Sequence, residues 1–83
     1  MGMTVRSEIV SQFTQVAEEH NRQLAPLTDS LELFESGLDS LGFAVVVIRL
    51  EESLGVDPFT IYENALPPVT FGEFVALYEN VAK

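Results

Sequence analysis

Residues 34–41 read Phe34-Glu35-Ser36-Gly37-Leu38-Asp39-Ser40-Leu41, a turn that runs into a helix. Downstream, Phe43, Val46, Val47, Leu50 and Leu54 recur at helical spacing, and Gly55 closes the run. Asp39 is the expected N-cap, because its carboxylate can accept from an otherwise unpaired first-turn amide. Gly37 lets the backbone bend ahead of the cap. Ser40, at the first helical position, then carries a hydroxyl with no helix-period reason for burial. Leu41, Val45 and Ile48 project opposite the Phe43 face, so this helix is apolar on two sides and the second stripe is expected to face water.

Upstream, Val5, Ile9, Phe13 and Val16 recur at spacings of four, four and three, which predicts a first helix from Thr4 to about His20. Thr4 is its expected N-cap, and Asn21 lies near its stop. From Asn21 to Leu38 the helical period lapses and Pro26 interrupts, so a long loop is expected. Leu24, Leu27, Leu31, Leu33 and Phe34 are expected to pin that loop onto the core. After the central helix, Asp57-Pro58 fits an N-cap followed by proline at the first helical position, giving a short third helix over about Pro58 to Ala65. Pro67 and Pro68 end it. Thr70-Phe71-Gly72-Glu73 reads as a capping box that opens a fourth helix carrying Phe71, Phe74, Val75, Tyr78 and Val81 on its core face. The expected fold is an all-α four-helix bundle.

Composition narrows the function. The 83 residues are 47% hydrophobic and 20% charged, as in one globular domain over residues 1–83, with 1–3 expected to be disordered or cloning-derived. Four Lys or Arg against thirteen Asp or Glu give a net charge of −9, which repels nucleic-acid phosphates and anionic lipid headgroups. The apolar run Phe43–Ile48 is far below the roughly 20 residues a membrane span needs, and no signal pattern opens the chain, so a cytoplasmic protein is expected. There is no Cys, hence no disulfide framework and no thiol.

Catalytic chemistry finds no footing. His20 is the single histidine, with no second His and no Cys to share a metal. Glu18–Glu19 and Glu51–Glu52 are helix neighbours that point about 100° apart and cannot face each other across a substrate. No Gly-x-Ser-x-Gly elbow surrounds Ser40, and the five glycines form no phosphate-cradling fingerprint. An independent enzyme is not expected.

The turn into the central helix resembles the acyl carrier protein family, in which Asp-Ser-Leu opens the second of four helices after a Phe-x-x-Gly pattern. Phe34, Gly37, Leu38, Asp39, Ser40 and Leu41 carry the likeness, together with Leu50-Glu51-Glu52 and Leu54-Gly55-Val56, and it covers essentially the whole chain. The resemblance implies that Ser40, within the Asp39–Leu41 motif, receives a covalent 4′-phosphopantetheine group from coenzyme A through a separate phosphopantetheinyl transferase. It implies a non-catalytic monomer that carries acyl or aminoacyl groups as thioesters. Loading ligases and downstream synthase enzymes of fatty acid, polyketide or nonribosomal peptide biosynthesis would be its partners.

By the same resemblance, the helix after the serine docks those partners, here through Leu41, Val45, Ile48 and Glu52. The motif wording is closer to polyketide and nonribosomal peptide carriers than to the primary fatty-acid type. Gly42 and Val45 stand where fatty-acid carriers usually place acidic residues, and Arg49 adds a positive charge further along. The rival reading is an unmodified acidic helical adaptor that binds partner proteins through Leu41, Val45 and Ile48.

Overall fold

Helix α1 (Val5–Glu19) begins where Thr4 and Ser7 cap each other: the Ser7 amide donates to Thr4 Oγ1 at 3.0 Å, and the Thr4 amide donates to Ser7 Oγ at 2.9 Å. The structure, a computed structural model, describes residues 4–55 and 68–82. The helix stops as expected near Asn21, whose φ of 56° breaks the right-handed turn. Ile9, Phe13, Val16 and Ala17 are buried along one stripe, and Val5 packs partly against the core.

Helix α2 (Ser40–Leu54) has Asp39 as N-cap and ends on Gly55 in the left-handed region. Helix α3 (Phe71–Ala82) follows the expected capping box: the Glu73 amide donates to Thr70 Oγ1 at 3.2 Å, while Glu73 Oε1 accepts from the Thr70 and Val69 amides at 3.1 and 2.9 Å. α1 packs against both other helices. Phe13 lies at the centre, its ring edge-on to Phe71 and Phe74 at centroid distances of 5.4 and 5.8 Å, with Phe43 of α2 against Phe74 at 5.2 Å. Phe71, Phe74, Val75 and Tyr78 are all buried, and removal of this aromatic and aliphatic surface from water drives the association.

The described residues thus form three helices and no strand. The expected third helix over Pro58–Ala65 lies outside the described residues, as do residues 1–3.

The α1–α2 connection is long, as its sequence implies, yet it is not bare coil. Leu33–Glu35 form a single 3-10 turn, and Glu32 pairs with Thr70 in an isolated antiparallel bridge. The Leu33 amide donates to the Val69 carbonyl at 2.9 Å, the Phe71 amide to Leu31 at 2.7 Å, and the Gly72 amide to Asp29 at 3.0 Å. The loop is therefore stitched to the start of α3. Leu24, Leu27, Leu31 and Leu33 pack partly against the core as expected. Phe34 does not: it is 94% exposed, because the 3-10 turn directs Leu33 inward and its neighbour outward.

Candidate functional site

The site is built where the end of the long loop meets α2. Gly37 takes φ 109°, open to glycine alone among the common residues, and its α-carbon lies against the Gln23 carbonyl. Beside it the Ala25 amide donates to the Ser36 carbonyl at 2.9 Å. Ser36 is buried, its hydroxyl donating to the Leu33 carbonyl at 2.7 Å. Residues 23–25 thus run alongside 36–37 and fix the direction in which the chain enters the helix.

Asp39 divides its two carboxylate oxygens. Oδ1 accepts from the Gly42 amide at 2.8 Å and caps α2, while Oδ2 accepts from Arg22 Nη2 at 2.8 Å. The capping bond first, and the Arg22 cation second, hold the Asp39 carboxyl below the usual carboxylate range. Because Asp39 carries the cap, the exposed Ser40 hydroxyl beside it is not needed for that purpose.

Asp39 and Ser40 form part of the wall of a cleft of about 560 Å³, otherwise lined chiefly by apolar side chains, among them Leu33, Leu38, Phe43, Val47, Ile48 and Pro68. Phe43 and Val47, placed by periodicity on the core face, therefore serve two surfaces: they pack partly on the core and they line the cleft.

The second stripe of α2 is split. Leu41 and Ile48 are exposed, at 66% and 55%, and Glu52 is exposed too. Val45 is not part of that open surface. It is half-buried and packs against the core, which corrects the expectation that it faces water, and Ala44 takes the exposed position beside Ile48. The reason is geometric: the fully buried residues of α2 are Gly42, Val46 and Leu50, so the buried arc is turned about 60° from the Phe43 face, and at about 100° per residue Val45 lies nearer its centre than Leu41 or Ile48 does.

Arg49 also differs from its bare sequence reading. It forms a two-bonded pair with Glu19 of α1, which holds the Glu19 carboxyl below its ordinary range and raises the guanidinium still further. Its positive charge is directed at α1. Sequence reading also missed Arg22. It lies 17 residues from Asp39, and no local pattern signals such a pair.

His20 is the half-buried residue at the C-terminal cap of α1. Among the described residues no group of three or more His, Cys, Asp or Glu could hold a metal ion. No helix among them is long and apolar enough to cross a membrane.

No match was found among curated proteins or among solved structures. Residues 7–63 match the family model described as the phosphopantetheine attachment site, a span that covers the capped turn, Ser40 and all of α2. Domains of this family bear a covalent 4′-phosphopantetheine, are carriers rather than enzymes, and work with phosphopantetheinyl transferases and biosynthetic enzymes. With its helices, its capped turn and its cleft consistent with the acyl carrier resemblance, the chain belongs to the phosphopantetheine attachment family.

Proposed function

We propose that Ser40 is the attachment residue, and that the chain acts as one carrier domain holding acyl or aminoacyl groups as thioesters on its prosthetic arm. The observation that carries this reading is an exposed primary hydroxyl at the first position of α2, next to a cap made by a different residue and on the wall of an apolar cleft. These residues suit the group. The hydroxyl can form a phosphodiester, the N-terminal end of α2 favours a nearby anion, and the cleft offers apolar surface to whatever is carried. In the transfer, Ser40 Oγ would bond to phosphorus as the adenosine bisphosphate portion of coenzyme A departs and the hydroxyl proton leaves. The arm supplies the thiol that this cysteine-free chain lacks.

Several finer expectations belong to the same proposal. The carrier is a cytoplasmic monomer of the polyketide or nonribosomal peptide type. Its fold is a four-helix bundle. Leu41, Val45, Ile48 and Glu52 meet loading ligases and downstream synthases, with Leu41 and Ile48 providing open apolar surface and Val45 a half-buried seat between them. The unmodified adaptor has no observation in its favour, since the family is defined by the attachment site.

The test is mass spectrometry after incubation with coenzyme A, Mg²⁺ and a broad-specificity phosphopantetheinyl transferase. One phosphopantetheine should be gained by the wild type and none by Ser40→Ala, whose helix content should be unchanged. Modification of Ser40→Ala, or none of the wild type, would overturn the assignment.

A further inference from the structure

Arg22 holds an unusual place among the cations. Of the three arginines in the described residues, Arg6 is paired with Asp29 at 2.7 Å and Arg49 with Glu19 of α1. Only Arg22 lies at the site, 2.8 Å from the carboxylate that immediately precedes Ser40. Its backbone is anchored independently of that pair: the Arg22 amide donates to the Ala17 carbonyl at 2.7 Å, just after the left-handed turn at Asn21. The guanidinium thus works from a fixed base at the end of α1.

We propose that Arg22 is the counter-ion of the phosphodiester formed on Ser40, sharing its guanidinium between that anion and Asp39. The proposal rests on Ser40 as the attachment residue, and the division of labour on Asp39 is what makes sharing feasible. Oδ1 alone caps α2 through the Gly42 amide, so turning the guanidinium partly away from Oδ2 leaves the cap intact. The pair is half exposed, 48% on Arg22 and 43% on Asp39, and such pairs are held weakly enough to rearrange. A guanidinium also has five donors in a planar fork, enough to serve a carboxylate and a phosphate oxygen together.

Electrostatics gives the need. The chain already carries a net charge of −9, and modification adds another anion beside Asp39. Without a neighbouring cation, that charge adds to the self-repulsion of the folded state. His20 also acts on Asp39 through its field, so comparisons should be made at one fixed pH.

The experiment compares the wild type, Arg22→Gln and Arg22→Lys, each before and after phosphopantetheinylation, with the modification verified by mass. The readout is the thermal midpoint at low ionic strength. Modification should lower the midpoint of Arg22→Gln by about 1–4 °C more than that of the wild type, with Arg22→Lys between them. The difference should vanish in about 1 M NaCl, where the screening length is about 3 Å. In the wild type, the Arg22 Nε–H resonance should move on modification. Equal midpoint shifts at low salt in wild type and Arg22→Gln would overturn the role of Arg22. If Arg22→Gln fails to fold, an Nε–H resonance unmoved by modification would overturn it instead. A wild type that gains no mass would sink the Ser40 assignment first, and this proposal with it.

Discussion

Gly37 packs its α-carbon against the Gln23 carbonyl, and a Cβ at position 37 would overlap that oxygen. The contact joins the start of the long loop to its end and sets the turn into Ser40. Two penalties therefore fall on Gly37→Ala: a left-handed φ of 109°, and a collision with backbone that cannot swing away. Gly55 has a positive φ as well, but open space where a Cβ would go. Gly55→Ala should lose about 1–2 kcal/mol from the φ penalty alone, whereas Gly37→Ala should lose more than about 2 kcal/mol. Urea midpoints for the two variants decide it. Equal losses would mean that the Gln23 contact yields easily.

The aromatic residues give a second contrast. Phe74 is fully buried and meets Phe13, Phe43 and Tyr78, with ring centroids 5.8, 5.2 and 5.0 Å away. Phe74→Ala should lose about 3–5 kcal/mol, which threatens the fold of so small a domain. Phe34→Ala should lie within about 0.5 kcal/mol of wild type, since its ring is almost wholly in water. A midpoint barely moved by Phe74→Ala would contradict the burial of α3.

These contrasts show which parts of the structure are local. The caps at Thr4, Asp39 and Thr70–Glu73 were legible because each is a bond between residues three apart, and the core stripes of α1 and α3 were legible from period alone. Phe34 was not. In a loop without periodicity, only the 3-10 turn and its bridge to Thr70 decide that Leu33 goes inward and Phe34 outward. Val45 was not legible either, because the apolar period of α2 centres on the Phe43 face whereas its buried arc centres on Gly42, Val46 and Leu50. Ser40 and Asp39 stood out in the sequence, but Arg22 became part of the site only through a contact spanning 17 residues.

The pH dependence follows from the caps. Bonds from the Val69 and Thr70 amides hold the Glu73 carboxyl below its ordinary range. Its contribution is therefore fully present above the unfolded carboxylate pKa of about 4.3 and is lost as pH falls through the lower folded value. Asp39 and Glu19 act in the same direction. Protonating the unpaired acids works oppositely, because it relieves the repulsion of a chain at net charge −9. Glu73→Gln keeps an oxygen that can accept from the same amides but does not titrate. Its thermal midpoint should therefore gain on the wild type as pH is lowered from about 5 to 3. Parallel curves for the two proteins would mean that the capping carboxylate does not set the acid limb.

Partner recognition gives the final prediction, and the half-burial of Val45 changes which substitutions test it. Leu41 and Ile48 present open apolar surface on the helix that begins at Ser40, and Glu52 extends the same stripe. A loading ligase that desolvates this stripe should lose much of its affinity when Ile48 becomes Glu, since the new charge would enter an apolar contact unpaired. Ile48→Glu and Leu41→Ala should each lower the efficiency of loading by the cognate ligase about tenfold or more, with thermal midpoints close to wild type. Val45→Glu should behave differently. Its side chain packs partly on the core, so a carboxylate there should destabilise the fold by about 1–3 kcal/mol besides affecting docking. The two effects separate in one series, with urea midpoints and loading rates measured on the same phosphopantetheinylated samples. Undiminished loading of Ile48→Glu and Leu41→Ala would show that the ligase approaches Ser40 from another side.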